Sequence, residues 1–270
     1  MLSFQLGPLA LPLAPVLLAA ALLAVSWLAS RLAAPAWREA ASHQIFVAAL
    51  LGLLAARLVY VGLHAQAYMA EPLAAFDVRD GGWNAPAGIL AAVAWLVRCA
   101  WRAAPLRRPL AAAAVCGLLA WGATMLIEKM RESASLPAIE LTDLASGKTI
   151  GLHEAASRRP LVVNLWASWC GPCRSEMPTL AAAQAREGAV AFLFVNQGES
   201  AATVNAFLER EQLELAGVLL DPGSRLGPAV GSRALPTTLF YDASGRLVDV
   251  HIGLLNAAAL NSRLGALRPG

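Results

Sequence analysis

Hydrophobic positions follow two regimes along this chain. Up to residue 128 they run in nearly unbroken blocks, at about 7–30, 44–64, 86–102 and 109–127. A helix needs roughly 17–25 apolar residues to cross a bilayer, so the blocks predict about four transmembrane helices, the third the shortest. Beyond residue 137 the apolar runs shrink to strand length and alternate with stretches of helical periodicity. Residues 139–141 and 148–150 flank Ala145-Ser146-Gly147 and read as a hairpin. Buried strands are expected at 161–166 and 190–195, and shorter ones at 218–220, 237–241 and 247–252. The last two pair across Asp242-Ala243-Ser244-Gly245. Helices are expected at 172–186, with Pro178 as a kink, and at 203–211 and 256–267. The chain therefore divides into an α-helical membrane domain (1–128), a linker (129–137) and an α/β domain (138–270).

Composition supports the membrane reading. The chain is 58% hydrophobic and only 14% charged, too apolar for an ordinary soluble protein. Its net charge of +3 includes no basic tract of the kind that binds nucleic acid. The first block has no positive segment before it and is too long for a cleaved signal peptide, so it is expected to be retained. The distribution of arginine orients the helices. Arg31 and Arg38 lie between the first two blocks, and Arg98, Arg102, Arg107 and Arg108 between the last two. The middle connection has only Arg79, beside Glu71, Asp77 and Asp80. The first and third connections are then cytoplasmic. The N-terminus and the α/β domain face the periplasm of a bacterial inner membrane. Lys129 and Arg131 oppose this mildly and are offset by Glu128 and Glu132.

Arg57 sits well inside the second block. Arg57 costs about 2.5–3.5 kcal/mol at a helix centre on insertion scales, so it must face protein, water or a ligand. It either contacts a headgroup or substrate, or it is structural, paired with Asp77, Asp80 or Glu71 or snorkelling outward.

The candidate chemistry is Cys170-Gly171-Pro172-Cys173, directly after a buried strand. Two cysteines at this spacing form a redox dithiol or half a zinc site. Zinc needs about four ligands, and the soluble half adds only His153 and His251 at no regular spacing. A peroxiredoxin would place its cysteine in a different frame. Cys170 lies at the junction of the strand and the following helix, whose free N–H groups and positive dipole end favour that thiol as the nucleophile. Cys173, one turn into the helix, is then the resolving thiol, and Pro172 suits the first turn. Cys99 and Cys116, near the cytoplasmic ends of the last two blocks, could relay electrons from cytosolic thioredoxin toward Cys170. The expectation is that they act as small hydrophobes.

Val163-Asn164-Leu165-Trp166-Ala167-Ser168-Trp169-Cys170-Gly171-Pro172-Cys173 through Pro178, with Leu235-Pro236-Thr237-Thr238 later, closely resembles the TlpA/ResA-type thiol-disulfide oxidoreductases of thioredoxin fold. The resemblance covers about 137–268. It implies a protein-disulfide reductase with no cofactor beyond the Cys170–Cys173 disulfide. It also implies protein thiol or disulfide substrates and a membrane electron donor of the DsbD/CcdA type. It makes Pro236 a cis proline packed on the disulfide and leaves the backbone of Leu235 to pair with a client strand. Trp169, Gly171 and Pro172 would line the docking surface, with Trp166 in the core. Thioredoxin has a titrating aspartate at the position of Asn164. Here the resemblance offers Glu176 as the proton relay; otherwise Glu176 is a solvated carboxylate beside Arg174 or Gln184. An oxidase or isomerase of the same fold stays open, as does a client-binding scaffold with little turnover.

The membrane half has its own resemblance. Ala56-Arg57-Leu58-Val59-Tyr60, Glu71-Pro72-Leu73, Arg79-Asp80-Gly81-Gly82-Trp83 and Gly88-Ile89 resemble the N-terminal half of prolipoprotein diacylglyceryl transferase over about 45–100. Where that family has His-Gly-Gly after the paired glycines, this chain reads Pro86-Ala87-Gly88. The resemblance therefore implies a reused scaffold without transferase activity.

Overall fold

The computed structural model of the chain describes residues 3–6, 9–70, 72–77, 81–131, 135–155 and 159–267. It forms two compact units, Ala14–Ala75 with Gly82–Lys129, and Met1–Leu13 with Phe76–Gly81 and Met130–Gly270.

The first unit is helical: α1 (Leu13–Leu32), α2 (Arg38–Leu63), α3 (Ala65–Ala70), α4 (Ala85–Arg102) and α5 (Arg107–Arg131). The expected first helix began at residue 7. Instead β1 (Ser3–Leu6) and β2 (Leu9–Pro12) pair antiparallel, and the helix starts at Leu13. Pro15 explains the shift. Proline is tolerated in a first turn, but a helix begun at residue 7 would bury Pro12 and Pro15 in its interior. At the other end α5 passes the expected stop at 127, because Glu128, Lys129, Met130 and Arg131 are all good helix formers. The linker is correspondingly shorter. Ser135 bridges Arg246, Leu136 N–H donates to the Gly245 carbonyl, and the Leu136 side chain is buried in the second unit.

Two helical stretches, Pro35–Leu63 and Ala104–Leu126, are long and apolar enough to cross a bilayer, and Val16–Leu32 forms a shorter apolar helix. Ala29, Ala41, Ala48 and Ala113 are buried inside the unit, whereas Leu18, Leu50, Leu58 and Leu119 are exposed on its outer face. Ile45, Leu96, Leu106 and Leu110 share the interior with these alanines, and small residues at helix contacts let the backbones approach closely. The tightest crossing joins α2 to α4. A Cβ on Gly88 would lie 2.8 Å from the Gly52 carbonyl oxygen, and one on Gly52 would lie 2.9 Å from the Gly88 oxygen. Near this crossing Trp95 Nε1 and Cys99 Sγ both donate to Gln44 Oε1, at 3.0 and 3.3 Å. Gly88→Val is expected to cost about 1–3 kcal/mol by overpacking. Gly62→Val should leave the thermal midpoint in detergent unchanged, because nothing lies within 4 Å of a Cβ there. Equal midpoints for the two variants would refute the close crossing.

Arg57 is buried rather than snorkelling. Its Nε donates to the Ala75 carbonyl at 2.9 Å and its Nη1 to the Gly82 carbonyl at 2.8 Å. The guanidinium also lies over the rings of Tyr68 and Trp83. Two carbonyls and two aromatic faces stabilise a desolvated cation. Of the carboxylates matched with it, Glu71 and Asp80 lie outside the described residues.

The second unit has the expected α/β architecture. Its strands are β3 (Glu140–Asp143), β4 (Thr149–Gly151), β5 (Leu161–Trp166), β6 (Ala191–Gln197), β7 (Val218–Asp221), β8 (Thr237–Tyr241) and β9 (Leu247–Ile252). They form one sheet in the order β4-β3-β7-β6-β5-β8-β9. The central β5, β6 and β7 are parallel, and β8 runs antiparallel to β5. Parallel strands covered on both faces need continuous apolar runs, which is why β5 and β6 are buried throughout. On β5, Val162 and Trp166 point to the face covered by α7 (Gly171–Arg186), α8 (Ala201–Arg210) and α10 (Ala257–Leu267). Leu161, Val163 and Leu165 point to the other face, with α6 (Leu152–Ala155) and α9 (Leu226–Ala229). The last two helices are single turns that the sequence pattern did not announce.

Candidate active site

The end of β5 and the start of α7 build the site. Ala167 to Cys170 form a turn closed by Cys170 N–H on the Ala167 carbonyl. Cys170 then caps α7, its Sγ accepting from Cys173 N–H at 3.2 Å. The two cysteines form a disulfide. Cys173 is fully buried, while Cys170 retains 6% exposure, so of the two cysteines only the first meets the surface. An N–H aimed at Cys170 and the positive end of a 16-residue helix both favour its thiolate in the reduced state.

Trp169 is 71% exposed beside the disulfide, and Gly171 and Pro172 are exposed with it. Trp166 is fully buried against Phe207. The Leu235–Pro236 peptide bond is cis. Leu165 pairs with Thr237 across β5 and β8, which puts Pro236 at the sheet end where β5 gives way to the cysteine turn. Leu235 packs against the core cluster that contains both cysteines. The segment is held by Gly253 N–H on the Pro236 carbonyl and by Thr237 Oγ1, which donates to Ala234 at 2.7 Å.

Glu176 lies one turn after Cys173 on the same face of α7, 1% exposed. The solvated alternative is excluded: Arg174 pairs with Glu211, and Gln184 with the backbone of Ala216. Glu176 Oε1 accepts from Asn164 Nδ2 and Oε2 from Leu255 N–H, both at 2.8 Å. Burial disfavours the charged form and pushes the carboxyl up to about 7, against the opposing pull of these two donors. Asn164 Nδ2 also donates to Thr238 Oγ1 at 3.0 Å, while its Oδ1 is buried without a partner.

Sequence reasoning missed the polar groups on the neighbouring strand. Glu199, just beyond β6, reaches the cysteine turn and accepts from Ser168, and Asn196 near the end of β6 donates to Glu199 in turn. The available signal was topological. In α/β sheets functional groups gather at the carboxyl ends of parallel strands, and β5 and β6 end side by side.

Comparison with known proteins agrees with this geometry. Residues 131–262 match the family model described as Redoxin, and residues 2–125 match that of prolipoprotein diacylglyceryl transferase. The chain is 30% identical over 131 residues to the thiol-disulfide oxidoreductase ResA of Halalkalibacterium halodurans, covering 48% of this chain and 73% of that protein. It is 26% identical over 134 residues to the thiol:disulfide interchange protein HelX of Rhodobacter capsulatus, covering 50% and 75%. Over 108 residues it is 37% identical to a thiol:disulfide interchange protein DsbE homolog of Paracoccus denitrificans, covering 39% and 59%.

Proposed function

The chain belongs to the ResA-type thiol-disulfide oxidoreductases, and from that premise we propose that it is a membrane-anchored protein-disulfide reductase working in the periplasm. The observation that carries the reading is the Cys170–Cys173 pair at the N-terminus of α7, with only Cys170 reaching the surface. The Cys170 thiolate attacks one sulfur of a client disulfide and expels the other as a thiolate. The Cys173 thiolate then attacks Cys170 Sγ, which re-forms the enzyme disulfide and releases the client as a dithiol. Two electrons pass to the client. A membrane donor of the DsbD/CcdA type restores the dithiol, because an oxidising periplasm supplies none. Gly171-Pro172 between the cysteines supports the reducing direction by resemblance. Trp169, Gly171, Pro172 and Leu235 form the docking surface, beside Pro236. Glu176, with its proton affinity near neutrality, exchanges the proton with Cys173.

The four apolar helices span the inner membrane, oriented by their arginines, and serve as a scaffold without transferase chemistry. Cys99, already donating to Gln44, is structural. Cys173→Ser tests the scheme. Its Cys170 should accumulate client proteins as mixed disulfides released by dithiothreitol, and the Cys170→Ser/Cys173→Ser double variant should capture none. Capture by the double variant would assign the chemistry to other thiols.

A further inference from the structure

The turn before the nucleophile is fastened from outside its own element. Ser168 sits inside the Ala167–Cys170 turn, half-buried, two residues before Cys170. Its N–H donates to Glu199 Oε2 at 2.7 Å and its hydroxyl to Oε1 at 2.5 Å. Glu199 is oriented in turn by Asn196, whose Nδ2 donates to Oε2 at 2.7 Å and whose Oδ1 accepts from Glu199 N–H at 3.3 Å. One carboxylate therefore takes both donors of Ser168, one on each oxygen, from a loop on the adjacent strand. Charge-assisted bonds of this length are about twice as strong as neutral ones. A side chain without polar atoms at this position loses both contacts, whereas an amide of the same shape keeps them by donating to the Ser168 hydroxyl, which can accept.

We propose that Glu199 is a positioning residue for thiol-disulfide exchange: through Ser168 it fixes the turn that places Cys170 Sγ at the cap of α7. The chemistry follows from the geometry. Attack on a disulfide needs the sulfur in line with the bond it breaks, and small misplacement costs rate steeply. The cap contact from Cys173 N–H holds only while the turn delivers Cys170 to it. Glu199 touches neither cysteine in this scheme and takes no part in proton transfer.

The inference rests on Cys170 being the nucleophile, and the experiment separates the two ideas. Full-length protein carrying Cys99→Ala and Cys116→Ala, so that the partly exposed thiols outside the site do not react, is reduced in detergent, freed of reductant and mixed with a small aromatic disulfide in a stopped-flow instrument. Rates are expressed per titratable Cys170 thiol, which removes any loss of folded protein. A small disulfide needs no docking surface, so the rate reports the placement and state of the sulfur itself. Glu199→Ala is expected to slow the reaction about tenfold, and Ser168→Ala to slow it by a smaller factor. The double variant should be no slower than Glu199→Ala alone, because both changes break one contact. Ser168→Ala, which keeps the carboxylate, should also raise the pH at which the Cys170 thiolate forms. Independent multiplication of the two effects, or a wild-type rate in Glu199→Ala, overturns the inference. Reaction by Cys170→Ser would instead overturn the reading on which it rests.

Discussion

Cys170→Ser is expected to abolish catalysed reduction of insulin disulfides while leaving the soluble half folded. The two outcomes separate because the cysteine has two jobs. As a cap, Cys170 Sγ accepts from Cys173 N–H at 3.2 Å. Serine does that at least as well, since a hydroxyl at the N-cap is among the preferred groups. As a nucleophile, sulfur works because a thiol ionises near neutral pH, and the helix N-terminus helps it do so. A serine hydroxyl at the same place stays protonated. Nothing adjacent offers a base strong enough to ionise it, since Glu176 is committed to Asn164 and Leu255. Insulin turbidity with dithiothreitol as reductant should fall to the uncatalysed rate. The thermal midpoint of the variant should match that of the reduced wild-type protein, the proper reference because neither has the cross-link. Retained turnover would move the chemistry away from this pair, and Cys99 and Cys116 are then the thiols to replace next.

How much of this site was legible before the fold is instructive. The cysteines, Pro236 and Glu176 could all be placed by motif, because each occupies a fixed step from a strand or helix end. What motif could not supply was environment. A glutamate on a predicted helix is usually solvated. Glu176 is buried only because β5 puts Asn164 toward α7 and the segment before α10 brings Leu255 N–H to the other oxygen. Neither contact leaves a trace in local sequence, with separations of 12 and 79 residues. The same holds for Glu199, 31 residues from the serine it holds. Strands β8 and β9 were read to the residue, helped by the turn at Asp242–Gly245, which fixes the two ends it joins. The start of α1 was misread because hydropathy alone ignores Pro12 and Pro15, and the charge of Arg57 was flagged without the carbonyls that satisfy it.

Glu176→Gln should raise stability above neutral pH and slow exchange in the same protein. The carboxyl holds its proton more tightly in the folded chain, where it titrates at about 7, than at its ordinary value of 4.5. Between those values the folded state binds more protons than the unfolded one, so stability is fully present below 4.5 and is lost as pH rises through 7. The loss is worth about 3 kcal/mol at about 1.4 kcal/mol per pH unit. Glutamine carries no such penalty. Its carbonyl can accept from Leu255 N–H, and its amide can donate to Asn164 Oδ1 once the Asn164 amide turns over, which places Nδ2 where the unpartnered Oδ1 stood. Thr238 Oγ1 then donates where it had accepted. The thermal midpoint of the oxidised variant should exceed wild type by several degrees at pH 8, with the difference vanishing as the pH falls below 4.5. A difference independent of pH would mean that Glu176 does not titrate in this range. The same substitution removes the group proposed to exchange a proton with Cys173, so the rate should fall at least several-fold and lose its inflection near pH 7. Stabilisation with an unchanged pH–rate profile would leave Glu176 a buried carboxyl of structure alone. Stabilisation together with the lost inflection would show that the domain tolerates a costly buried acid because its turnover needs one.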